Sequence, residues 1–272
     1  MRIRKAGALA TLCAFTLVAC GGGDDATDGG PGPGAGAEEN RVQIGMTEFA
    51  FGMAEEVTGG NITLEFINSG ELPHEAAFGS IAGDRDLDDV MKALRSEKEP
   101  KWFEDLAGIP VLDPGATTSM TRELDPGRYI FLCFLPVPET GVPHVTEGMV
   151  QLFDAEGTSE AEGPQPDLTI TATDEGFEVP EVPSGTQAIE LVNDGTKPHE
   201  FAIFSLEPGK TERDIDRWFG SGFEAEKPAV FPGGMQSIEP GTSVVVEMTF
   251  EFGRSYIVQD FENELEAEFE VQ

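Results

Sequence analysis

Cys133, His144 and Met149 fall within one short run of the chain, and a further imidazole, His74, stands upstream in the turn Leu72-Pro73-His74-Glu75. One thiolate, two imidazoles and a weak thioether form the donor set of a blue-type, one-electron copper centre. The soft sulfur suits the reduced metal, the imidazoles suit either oxidation state, and a stiff frame lets the metal cycle with little rearrangement. Pro136, Pro138 and Pro143 stiffen the segment between thiol and second imidazole, which lowers the entropy cost of holding ligands in place. Zinc bound by Cys133, His74, His144 and a water is the chemical rival, but it leaves Met149 without a role.

The elements that must position these groups are legible in outline. Abundant Gly and Pro (33 and 19) with few long helical patterns point to an all-β chain. Residues 42–46 and 168–172 alternate apolar with small or polar side chains, as half-buried strands do, and 244–250 is β-branched enough for an inner strand. Strands at this spacing predict β-sandwiches. Two amphipathic stretches predict short helical inserts. Residues 84–96 place Leu87, Val90, Met91 and Leu94 on one face, and residues 211–219 do the same with Ile215, Trp218 and Phe219.

The two halves of the chain repeat each other. Asn68-Ser69-Gly70-Glu71-Leu72-Pro73-His74-Glu75 returns as Asn193-Asp194-Gly195-Thr196-Lys197-Pro198-His199-Glu200. Asp113-Pro114-Gly115 returns as Glu239-Pro240-Gly241, and Tyr129-Ile130 as Tyr256-Ile257. So many landmarks in constant order imply a tandem duplication. The second copy has Asp260 where the first has Cys133, and no His or Met follows it. His199 is therefore expected to be a turn residue bonded to backbone, and the second copy to be metal-free.

The N-terminus reads as a leader. Arg2, Arg4 and Lys5 precede an apolar run from Ala6 to Ala19 that is too short to span a bilayer. Leu17-Val18-Ala19-Cys20 resembles the lipobox of bacterial lipoproteins, which implies a lipid on Cys20; an ordinary secretory leader is the alternative. The expected organisation is signal peptide 1–19, Gly/Asp/Pro-rich tether 20–40, copper-binding domain 41–154, linker 155–166 and copper-free domain 167–272. Export leaves Cys133 as a lone thiol in an oxidising compartment, and metal ligation would account for it.

On the Pro-His turn followed by Cys133, His144 and Met149, the first half resembles the cupredoxins, the plastocyanin and azurin family. The resemblance implies two tandem Greek-key sandwiches, with one type 1 copper held by His74, Cys133, His144 and axial Met149. Ten residues separate Cys133 from His144, a long loop more similar to the type 1 loop of copper nitrite reductases. Many cupredoxins carry Asn after the first His to brace the ligand loop, where this chain has Glu75. With only three His in the chain, the further His clusters of multicopper oxidases and nitrite reductases are missing. There is also no Ser-His-Asp set and no phosphate-cradling loop. The expectation is a carrier with no enzymatic activity and no small-molecule substrate.

The charge of −34, from 51 acidic against 17 basic residues, repels nucleic acid. It favours a cationic redox partner such as a cytochrome, or serves solubility. The full expectation is an extracytoplasmic protein, lipid-anchored to a bacterial membrane, that shuttles single electrons. Copper storage or delivery, and a metal-free interaction sandwich, are the other readings. An exposed edge of His144, rimmed by Pro136, Val137, Val142 and Pro143, is the expected contact.

Overall fold

In the computed structural model the described residues are 39–53, 56–96, 100–138 and 140–272. The expected leader, Cys20 and tether residues 21–38 lie outside them. The first half runs β1 (Arg41–Thr47), β2 (Ala50–Met53), β3 (Val57–Asn68), β4 (His74–Ile81), α1 (Leu87–Leu94), β5 (Phe103–Asp105), β6 (Ile109–Leu112), β7 (Thr117–Leu124), β8 (Gly127–Leu132), α2 (His144–Glu147) and β9 (Val150–Ser159). The second runs β10 (Leu168–Thr173), β11 (Gly176–Glu178), β12 (Gly185–Asn193), β13 (His199–Leu206), α3 (Glu212–Gly220), β14 (Ala229–Ile238), β15 (Ser243–Phe250), β16 (Ser255–Asp260) and β17 (Leu265–Glu270).

The duplication read from the sequence is repeated in the strand pairing. β1 lies parallel to β3, and β3 antiparallel to β7. In the second half β10, β12 and β15 pair in the same way. Across the core, β8 lies between β4 and β9, as β16 lies between β13 and β17. Alternation explains which faces turn inward: in β1, Val42, Ile44 and Met46 are buried while Gln43 and Thr47 are exposed. Aromatic rings fill the space between the sheets, with Phe78, Phe131, Phe153 and Tyr129 stacked on one another.

The halves are joined by more than chain. β7 pairs antiparallel with β15, matching Thr121 with Val245 and Ser119 with Glu247, so one sheet runs through both. Both halves belong to a single compact unit. Across the seam Lys227 Nζ meets Asp113 Oδ2 at 2.6 Å, and Asp113 Oδ2 also accepts from the Phe231 N–H at 3.1 Å.

Two local expectations change. Of the apolar stripe expected on the first helical insert only Val90 is buried; Leu87 and Leu94 stay exposed, because α1 lies over a small satellite core rather than the main one. Within the segment expected to be a linker, Glu156 to Ser159 belong to β9, whose end runs parallel to β3 and so satisfies its main-chain groups in the sheet.

Candidate metal centre

Three of the four expected ligands converge at one end of the first sandwich. His74 opens β4, and the turn before it is held by Asn68, whose Nδ2 donates to the carbonyls of Leu72 (3.0 Å) and Leu112 (2.9 Å). Cys133 directly follows β8. The loop after it folds back on itself, with Val137 N–H donating to Val142 O at 2.8 Å and His144 N–H to Leu135 O at 2.9 Å. The single turn α2 then ends at Gly148, whose left-handed φ of 117° reverses the chain into Met149.

The donor atoms face one another. His74 Nδ1 lies 3.2 Å from His144 Nδ1, and Cys133 Sγ lies 3.4 Å from His144 Nδ1. Donors held about 2.1 Å from a four-coordinate ion sit about 3.4 Å apart, so the spacing fits a metal. His74 and Cys133 are 0% exposed and His144 1%. They are the one group of three or more His, Cys, Asp and Glu side chains among the described residues that could hold an ion. Met149 is brought to the same end by the main chain: its N–H donates to His144 O at 3.0 Å and its carbonyl accepts from Cys133 N–H at 3.2 Å. Its side chain is fully buried.

Electrostatics also fit a cation. Burial pushes the Cys133 thiol up to about 12, with a smaller push from the Glu75 carboxylate. Burial, then the neighbouring His144, takes His74 down to about 4, and burial lowers His144. Without a metal these groups are thus held neutral; a bound cation takes the place of the thiol proton. Two orphaned atoms remain, since the buried Nε2 of both His74 and His144 have no hydrogen-bond partner.

Glu75, the departure from the cupredoxin pattern, braces the ligand loop. Its Oε1 accepts from Phe134 N–H at 2.8 Å, next to Cys133, and its Oε2 accepts from Gln236 Nε2 of the second half at 3.3 Å. Glu200 repeats the arrangement on the Phe261 N–H. The glutamate therefore serves both halves, with and without the thiol.

Two expectations about histidines are corrected. His144 has no exposed edge: the ring of Phe49 packs edge-on against it at 5.2 Å and closes the site from outside. His199 is not bonded to backbone. Its Nδ1 meets Asp260 Oδ2 at 2.7 Å and its Nε2 meets Asp174 Oδ1 at 3.3 Å, because Asp260 takes the place of the thiol and supplies a carboxylate at the inner nitrogen.

Sequence reasoning missed Glu48 and Phe49, which form the turn between β1 and β2. Glu48 Oε1 accepts from the N–H groups of Glu71 (2.5 Å) and Leu72 (3.0 Å) and lies 3.9 Å from His74 Nε2. Burial would raise its carboxyl, but those backbone donors hold it below the usual value. The signal was available, since Glu48 and Asp174 lie 126 residues apart, within one residue of the 125 that separate His74 from His199.

No protein-family model and no curated protein matches the chain. Among solved structures the chain is similar to dithionite-reduced auracyanin from Roseiflexus castenholzii, with 23% identity over 44% of this chain and 99% of that one, at a TM-score of 0.31. It is also similar to a multicopper oxidase, with 16% identity over 85% of this chain and 88% of that one, at a TM-score of 0.25. A copper nitrite reductase from Nitrosomonas europaea shows 12% identity over 85% and 93%, at a TM-score of 0.25. The described residues are built mainly of β-strands. Against the expectation of a chain with no enzymatic activity, enzymes stand among these similar structures, a multicopper oxidase and copper nitrite reductases. Among the described residues no helix is long and apolar enough to cross a membrane.

Proposed function

We propose that the chain is an extracytoplasmic type 1 copper protein that carries single electrons at a membrane surface. One copper would be held in the first half by His74, Cys133 and His144 together with Met149, and the protein would be anchored through a lipid on Cys20. The observation that carries this reading is the buried convergence of two Nδ1 atoms and one thiol sulfur within 4.8 Å of one another. Soft and borderline donors together select copper over hard cations.

Bound copper supplies a one-electron couple. The chain supplies the frame: the Asn68 turn fixes His74, Glu75 ties Cys133 to the first strand after that turn, and the α2 turn ties His144 to Met149. With both histidines closed off from water, little solvent rearranges when the charge changes. The second half carries no matching donor set and acts as a buttress through the shared sheet and the Gln236–Glu75 bond. The acidic surface suits a cationic partner, whose association would slow as salt rises.

The test is a visible absorption spectrum of the full chain with one equivalent of Cu(II). An intense thiolate-to-metal band that is lost in Cys133→Ser supports the reading. A wild-type protein that binds copper at one per chain without that band rejects the type 1 assignment, and one that takes up no copper rejects the site.

A further inference from the structure

We infer that Glu48 is a positioning residue for His74: its carboxylate accepts the Nε2–H of the ring and so fixes the orientation in which Nδ1 is presented to the metal. This inference rests on the copper reading above. In the present geometry His74 Nε2 is buried without a hydrogen-bond partner, and the carboxylate of Glu48 lies 3.9 Å away. That carboxylate is already aimed, because the Glu71 and Leu72 N–H groups hold its Oε1.

The second half shows the same device with the contact made. Asp174 follows β10 as Glu48 follows β1, and its Oδ1 lies 3.3 Å from His199 Nε2. It too is anchored by the turn before the histidine, accepting from Thr196 N at 2.9 Å and Thr196 Oγ1 at 2.6 Å. There the inner nitrogen is engaged by Asp260 at 2.7 Å, and the outer nitrogen meets its carboxylate. In the first half the inner nitrogen faces the second imidazole instead, His144 Nδ1 at 3.2 Å.

Glycines make the space for both contacts. A Cβ at Gly70 would sit 2.6 Å from Glu48 Oε1 and 3.0 Å from His74 Nε2. At Gly195 it would sit 2.6 Å from His199 Nε2 and 2.8 Å from Asp174 Oδ1. Both halves of the chain thus keep a bare backbone where carboxylate and imidazole approach. A metal-bound imidazole donates its other N–H to a carboxylate or carbonyl, and losing that acceptor typically costs about 10–100-fold in metal affinity.

The experiment compares wild type, Glu48→Gln and Glu48→Ala in the full chain. Copper affinity and reduction potential are measured, and the His74 Nε2–H proton is followed by NMR in the diamagnetic Zn(II)-loaded protein. Glu48→Ala is expected to weaken copper binding about 10–100-fold, to raise the potential by removing a negative charge beside the ligand, and to speed exchange of that proton with water. Glu48→Gln keeps an acceptor, so it should restore slow exchange and most of the affinity while leaving the potential raised. Unchanged affinity and unchanged exchange in Glu48→Ala overturn the inference. Should Glu48→Ala not fold, a His74 Nε2–H that exchanges freely in loaded wild type overturns it equally. A wild type that binds no metal overturns the copper reading instead, a result separate from either.

Discussion

Replacing Asp260 by Ala should destabilise the protein by about 3–5 kcal/mol, although it lies in the half without a thiol. Asp260 and His199 are both 0% exposed, with 2.7 Å between Oδ2 and Nδ1. Asp260 also accepts from Asn263 through its N–H (3.1 Å) and its Nδ2 (2.8 Å). Truncation strands a buried ring nitrogen and takes the acceptor from a part-buried backbone donor, which is the expensive way to break a pair. Against a typical total of about 5–15 kcal/mol, that is a third or more of the stability of many proteins. Removing both partners, as His199→Leu with Asp260→Leu, should cost less than the sum of the single changes by about 0.5–3 kcal/mol. Urea unfolding at pH 7 measures all four corners of the cycle. The hydrogen bonds hold the Asp260 carboxyl below its usual value against the opposing effect of burial. Its contribution is therefore present above the unfolded carboxylate pKa, about 3.9, and is lost as pH falls through the lower folded value. The gap between wild type and Asp260→Ala should hold from neutral pH down to about 4 and close below it. A cost under about 1 kcal/mol, or strict additivity in the cycle, would refute the idea that this pair fills the place of the ligand set.

Other predictions concern the seam and the second glutamate. Burial, with smaller pushes from Asp260, Glu75 and Glu262, raises Glu200 to about 7. A carboxyl raised on folding stabilises below its unfolded pKa and loses that contribution as pH climbs through the folded one. Glu200→Gln should accordingly gain stability relative to wild type between about pH 4.5 and 7, read from melting temperatures along a pH series; a gain on the acid side instead would contradict the sign. At the seam, Asp113→Ala should cost about 1–3 kcal/mol, because it strands the buried Phe231 N–H. Lys227→Ala should cost at most about 1 kcal/mol, since the pair it removes is screened at a 40% exposed ammonium and Asp113 keeps the Phe231 N–H. Chemical unfolding of the two variants ranks them, and the reverse order would sink the argument.

The sequence by itself determined the strands, the repeat of turns and the candidate ligands, because each is written in local order. Alternation in 42–46 reports a half-buried strand wherever it sits, and Cys133, His144 and Met149 are neighbours whose loop is closed by its own hydrogen bonds. The Asn-x-Gly and Pro-His landmarks recur because the same turn is built twice, through the same side-chain bonds of Asn68 and Asn193. What the sequence did not reveal was set by contacts between distant segments. Whether His144 shows an edge to solvent depends on Phe49, nearly a hundred residues upstream, and no periodicity encodes that ring's approach. The start of the expected linker became strand because β3 offered main-chain groups beside it. His199 found side chains rather than backbone because β16 delivers Asp260 to its inner nitrogen and the β10–β11 turn delivers Asp174 to its outer one. The residue types at those positions were readable, but their meeting is a product of β-strands that pair across long stretches of chain, and only the tertiary structure decides it.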